Sequence, residues 1–264
     1  MTALALHPTP APLEKRLLTV ASGKGGVGKT WLAITLAHAL ALRGRKVLLF
    51  DGDLGLANVD IQLGLMPTRD LGDVLSGSTA LVDAVTPFDI DAAQPVHFDI
   101  LAGRSGSGSL AGLGKDAILG VRQALVQAAA KYDDVILDLG AGIDQPVAIL
   151  ANHGGTCLVV VTPEPTAITD AYAFIKVRRL RDPAADIRLA INGVASRREG
   201  EQTYQTLAKA CASFLKFTPP LAGMVHRDPK VRDAIRAQTA LLTRSPECPA
   251  AHDVTALARA LRPA

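Results

Sequence analysis

The stretch SGKGGVGKTW, residues 22–31, follows the apolar run Leu17-Leu18-Thr19-Val20-Ala21 and leads into a helical repeat carrying Leu32, Leu36, Ala39 and Leu40. Within it, Gly23-Lys24-Gly25-Gly26-Val27-Gly28-Lys29-Thr30 fits the phosphate-loop pattern G-x-x-x-x-G-K-[ST] at every specified position. That pattern carries chemistry only between a strand and a helix, and both flanks predict that context. Glycines let successive backbone N–H groups turn inward onto a polyphosphate, where side chains would block the approach. The positive end of the following helix adds to the field. The Lys29 ammonium is then placed to neutralise β- and γ-phosphates, and the Thr30 hydroxyl to ligate Mg²⁺.

Outward from this loop, short apolar runs alternate with helical patterns. Strands are expected at 17–21, 47–50, 96–101, 135–139, 157–161, 187–191 and 221–225. Helices are expected at 29–42 and near 116–131, 145–152, 166–181, 200–215, 229–238 and 252–262. Continuous apolar strands alternating with helices predict a three-layer α/β/α fold with a mostly parallel sheet covered on both faces. Residues 54–90 break the rhythm into short pieces, and GRSGSGSLAGLG (103–114) reads as a surface loop. Neither resembles an interdomain linker. The expected organisation is a proline-containing N-terminal arm over residues 1–15 and a single domain over 16–264.

Three further strand ends carry polar side chains where parallel sheets bind ligands. Asp51 and Asp53 flank Gly52, so one acid can support a metal while the other orients water. Val135-Ile136-Leu137-Asp138 is a strand ending in an acid, suited either to a Mg²⁺ shell or to capping a helix. Asn192 offers a donor and an acceptor side by side, which suits the edge of adenine, although Asn before Gly193 also suits a turn.

The general pattern leaves position 24 free, yet it holds a second lysine. Lys24-Gly25-Gly26-Val27-Gly28-Lys29-Thr30 resembles the deviant Walker A loop of the MinD/ParA family of ATPases, and the resemblance runs over residues 16–262. It implies the P-loop NTPase fold, the cofactors ATP and Mg²⁺, slow hydrolysis, and an ATP-dependent homodimer. Lys24 is then expected to cross the dimer interface to the partner's nucleotide. Lys24, Lys29 and Asp53 become the catalytic set, with Asp53 activating water. Nucleotide contacts are implied for Gly23, Lys24, Gly25, Gly26, Val27, Gly28, Lys29, Thr30, Trp31, Asn192 and Asp228, and metal contacts for Thr30, Asp51 and Asp138. Glu164 and Asp170 fall where the family lines its interface. His226 stands where the family has a proline two residues before Asp228.

DGDLGLANVDIQLGL (51–65) and PEPTAITDAYAFIKV (163–177) are most similar to the FlhG/FleN (YlxH) branch, which regulates flagellar number and placement. That implies flagellar assembly proteins as partners: an FlhF-like GTPase, switch proteins or regulators. The arm lacks the DQA-x-x-L-R element by which the branch stimulates its GTPase. The final helix is expected to pack on the core through Val254, Leu257, Ala258 and Leu261, since its apolar stripe holds no Phe or Trp. Membrane contact is therefore weak or absent.

A net charge of +3 is too small to argue for nucleic acid by bulk electrostatics. A ParA-type DNA-partition role remains the alternative, with Arg178-Arg179-Arg181 and Arg197-Arg198 as its candidate basic clusters. Cys157, Cys211 and Cys248 lie far apart, which argues against a disulfide framework, a zinc site or a shared metal cluster. No apolar run approaches the ~20 residues of a membrane span, and the N-terminus does not read as a secretion signal. The expected location is the cytoplasm, with the inner membrane surface or cell pole as peripheral sites.

Overall fold

A computed structural model of the chain describes residues 12–53, 55–91, 94–103 and 113–263. Most of the N-terminal arm, Leu54, and most of the glycine- and serine-rich loop therefore lie outside the described residues.

Strand β1 (Leu17–Ser22) is buried along its whole length, as its unbroken apolar character requires. It runs between β5 (Asp134–Ala141) and β6 (Thr156–Val161), parallel to both. The sheet continues through β2 (Val47–Gly52) and β4 (Gln94–Leu101) on one side, and through β7 (Asp186–Val194) and β8 (Leu221–His226) on the other. An eighth described strand, β3 (Thr86–Asp91), runs antiparallel to β4 at the edge. The full order is β3-β4-β2-β5-β1-β6-β7-β8. The chain leaves β1 for one half of the sheet and returns for the other, so β1 borders the switch point where such sheets bind ligands.

Helices cover both faces. On one side lie α1 (Lys29–Ala41), α2 (Val59–Leu63), α8 (Pro229–Arg236), α9 (Leu241–Arg244) and α10 (Pro249–Leu261). On the other lie α3 (Leu71–Leu75), α4 (Lys115–Ala128), α5 (Gln145–Leu150), α6 (Pro165–Arg181) and α7 (Arg197–Leu215). Helix α1 is apolar almost all round and is correspondingly buried against the sheet and α10. Prolines open α6, α8 and α10, where a missing N–H costs nothing. Helix α10 packs on β8 and α1 with Val254, Leu257, Ala258 and Leu261 buried, so its apolar stripe is spent on the core. No helix among the described residues is long and apolar enough to cross a membrane.

The expected alternation of parallel strands and helices is present. Strand β3 and helix α9 were not anticipated. Thr86-Pro87-Phe88-Asp89-Ile90-Asp91 holds a proline and two acids, which dilute its strand signal. A proline is tolerated there because β3 is an edge strand, paired on one side only.

Candidate functional site

The loop between β1 and α1 lies against the C-terminal ends of the parallel strands. Gly26 and Gly28 adopt φ of +77° and +90°. Gly28 needs its missing side chain twice over, because a Cβ there would sit 2.4 Å from Trp31 Nε1 and 2.6 Å from Asn192 Nδ2. At Gly23 a Cβ would fall 2.0 Å from the Asp170 carbonyl oxygen, so α6 can close on the loop only over glycine.

A cavity of about 860 Å³ opens above the loop, lined by residues 25–31 and by the ends of β2, β5, β6 and β7. The size suits a nucleotide-scale ligand. Lys29 is buried, and its ammonium donates to Ser22 Oγ at 3.0 Å. Burial lowers its pKa, while Asp138 and Asp53 pull the other way.

Register brings the first acid pair together: Asp51 on β2 stands opposite Asp138 on β5. Both are about 1% exposed. Asp51 Oδ2 accepts from the backbone N–H groups of Asn58 and Val59, both at 2.9 Å, and Oδ1 from Asp53 N–H at 3.3 Å. Thr30 lies beside the Asp138 carboxylate and works to lower its pKa, while Asp138 Oδ1 is buried with no hydrogen-bond partner among the described residues. Burial first, then the neighbouring acids, raises the pKa of Asp138, and burial likewise raises Asp51 against its backbone hydrogen bonds. Two desolvated carboxylates, a hydroxyl and one orphaned oxygen are the donor set that a hard dication satisfies. The residues present therefore fit Mg²⁺, which Thr30 and Asp138 would hold with Asp51 behind them.

Asp53 lies nearer the mouth of the cavity, half-buried. Its Oδ1 accepts from Leu56 N–H at 3.0 Å and Gly55 N–H at 3.3 Å. A Cβ on Gly140 would sit 3.3 Å from that oxygen, so Asp53 faces the end of β5 across a glycine. Asn192 is buried and donates through Nδ2 to the Val27 carbonyl at 2.7 Å, which ties β7 to the phosphate loop. The Asp228 carboxylate caps α8 by accepting from Lys230 N–H at 2.9 Å, and the neighbouring Arg227 is the residue that lines the cavity.

Lys24 is not among the residues that line this cavity, although its partner Glu164 is. Its ammonium donates to Glu164 Oε2 at 2.7 Å and to Thr166 Oγ1 at 2.8 Å, at the start of α6. Hydrogen bonding to Lys24, reinforced by its charge, lowers the Glu164 pKa.

Some cavity residues escaped the sequence reading. Thr162, at the end of β6, lines the cavity with a buried hydroxyl that has no partner. The only signal was a hydroxyl after Val159-Val160-Val161, indistinguishable from any strand-end threonine. Arg227 and Arg232 also line it, and nothing in their spacing marks them. One expectation is corrected. Arg178 is 4% exposed and paired with Asp182 at 3.2 Å, so it contributes nothing to a basic surface on α6. Arg197 is paired with Glu201 at 2.9 Å, which weakens the second cluster as well. Cys157 and Cys211 are buried in the apolar layer between the sheet and α6 and α7.

A strand–loop–helix cradle for phosphate, with an acid-bearing strand on the far side of the same sheet centre, defines a P-loop nucleotide-binding protein. Residues 18–241 match the CobQ/CobB/MinD/ParA nucleotide binding domain, and the chain belongs to that family. It is 35% identical to the antiactivator FleN of Pseudomonas aeruginosa over 97% of this chain and 87% of that protein. It is 31% identical to the flagellum site-determining protein YlxH of Helicobacter pylori, over 74% of this chain and 63% of that one. The fold superimposes on the septum site-determining protein MinD of Pyrococcus horikoshii, solved with Mg-ADP, at a TM-score of 0.78 and 26% identity, covering 94% and 96% of the two chains.

Proposed function

We propose that residues 16–264 form a single ATPase unit that binds Mg-ATP, dimerises on it, and regulates flagellar number or placement through the partners it recruits. The observation that carries the switch reading is the division of the two loop lysines. Lys29 lies buried in its own cavity, while Lys24 is paired with Glu164 and Thr166 at the start of α6. A lysine outside its own site is available to a second subunit's phosphates.

Each residue then has a task. Gly25 to Thr30 present backbone N–H groups to the phosphates, and Lys29 balances the charge that grows on the leaving oxygen. When bound, Mg²⁺ neutralises the β- and γ-phosphate oxygens. Asp53 accepts a hydrogen bond from the water that attacks the γ-phosphorus, and ADP leaves as the bond to its β-phosphate oxygen breaks. Asn192 and Arg227 bound the space for the base. Lys24 of one subunit reaches the nucleotide of the other, so dimerisation and charge neutralisation become one event. Turnover is slow because positioning is incomplete until that lysine, or a partner, arrives.

The flagellar assignment rests on likeness to FleN and YlxH, the first named as an antiactivator and the second as determining a flagellum's site. By that likeness the ATP dimer restrains an activator or marks a site, acting in the cytoplasm or peripherally at the inner membrane or pole. Capture from cell extract on ATP-loaded Asp53→Ala protein tests it. Recovery of flagellar regulators, switch proteins or an FlhF-like GTPase supports the assignment, and recovery of centromere-binding proteins would replace it with the partition role.

A further inference from the structure

The one tryptophan of the chain, Trp31, stands in the first turn of α1, immediately after the two loop residues that meet phosphate and metal. Aliphatic and alanine side chains dominate the rest of that helix and are buried. Trp31 is only half-buried. It packs on the core from one side and lines the 860 Å³ cavity on the other.

Its position is closely set. The missing Cβ of Gly28 would meet Trp31 Nε1 at 2.4 Å and Trp31 Cδ1 at 3.1 Å, so the pyrrole edge of the indole rests on the loop glycine. The same point lies 2.6 Å from Asn192 Nδ2, and that amide is itself fixed by the Val27 carbonyl. Indole and amide therefore converge on one spot at the base end of the cavity. A second space that Trp31 lines together with Ile34, Ala234 and Ile235 holds only about 20 Å³, too little to take an indole ring. Val231, Arg232 and Ile235 of α8 line the cavity as well. An indole held by its edge on the loop and lining the cavity presents aromatic surface to whatever fills it.

We propose that Trp31 is the stacking platform for the nucleobase, a specificity-determining residue that favours large planar bases and sets their plane beside Asn192. The inference rests on the nucleotide-binding reading of the site and adds the base's seat to it. Every base has a π-face, so this contact discriminates between a nucleotide and bare phosphate, and between purines and pyrimidines by ring area.

The test compares wild type, Trp31→Ala and Trp31→Phe by calorimetry with Mg-ATP and with Mg-tripolyphosphate, which carries the charge and lacks the base. Trp31→Ala should weaken ATP roughly ten- to a hundred-fold and leave tripolyphosphate nearly unchanged. Trp31→Phe keeps an aromatic face and should retain most of the ATP affinity. Unchanged ATP affinity in Trp31→Ala, or equal loss of both ligands, would overturn the platform. Wild type that binds neither ligand would instead overturn the nucleotide reading. If Trp31→Ala does not fold, the wild type still decides, because its emission comes from this tryptophan alone. ATP should change that emission and tripolyphosphate should not, and an equal response to both rejects stacking.

Discussion

The Lys24 ammonium lies 2.7 Å from the Glu164 carboxylate of its own chain, 140 residues further on. Glu164 is mostly exposed and Lys24 about one-third exposed, so this ion pair is screened and easily exchanged for a stronger anion. A partner's triphosphate is such an anion. In the proposed dimer, Lys24 would have to leave Glu164 to reach that triphosphate.

Lys24→Ala separates action in cis from action in trans. If Lys24 serves the partner, the variant monomer should bind ATP with near-normal affinity through Lys29, Thr30 and the loop amides. Charge-assisted contacts at a desolvated interface are worth about 2–5 kcal/mol each, and a symmetric dimer loses two. ATP-dependent dimerisation should therefore collapse in sedimentation velocity, and hydrolysis with it. Mixing with Asp53→Ala should restore part of the hydrolysis, because one composite site then holds both groups. No restoration on mixing, or loss of ATP binding by the Lys24→Ala monomer, argues for cis action.

Lys29→Ala should abolish measurable ATP binding. The ammonium is buried beside Asp138 and Asp53, and removing it takes away the cation that faces both them and the incoming phosphates. Titration calorimetry reads this directly, and near-normal affinity would relocate the site.

Asp53→Ala should spare binding and dimerisation while stopping turnover, since the described hydrogen bonds to its carboxylate come from the Gly55 and Leu56 N–H groups rather than from the phosphate loop. The expected outcome is an ATP-bound dimer that persists on a sizing column, with hydrolysis reduced by roughly two to four orders of magnitude, the usual worth of a general base. A monomeric variant would assign Asp53 to structure instead.

His38, on the buried face of α1, gives a prediction about stability. It is about 1% exposed, its Nδ1 has no partner, and burial pushes its pKa down to about 4. The folded value lies below the unfolded one of 6.5, so the unfolded chain takes up the proton first as pH falls. The stability term is at full value above about pH 6.5, declines towards pH 4 and is flat below. Its size is about 3 kcal/mol. Urea titrations across this range should show a shallower decline for His38→Leu than for wild type. His153, pushed by burial to about 3, acts in the same sense and remains in both proteins.

Local pattern was enough for much of this protein. The phosphate loop, the strand before it and the helix after it are adjacent in the chain, so short-range spacing specifies them. Acid-bearing strand ends were legible for the same reason, because Asp51 and Asp138 each follow an apolar run and Asp53 comes two residues after Asp51. What only the tertiary structure decided are relationships between distant segments. Sheet register sets Asp51 opposite Asp138 and so makes one metal-sized cluster of two separate acids. Packing of α6 turns Arg178 inward, although its sequence reads as part of an exposed basic run. The edge position of β3 permits a proline that its own sequence counts against. Glu164 meets Lys24, and Trp31 meets Asn192 over Gly28, only because the sheet order places β6 beside β1 and β7 beside β6. Contacts of that kind depend on which strands become neighbours, and hydrophobic periodicity along one segment carries no information about the segment beside it.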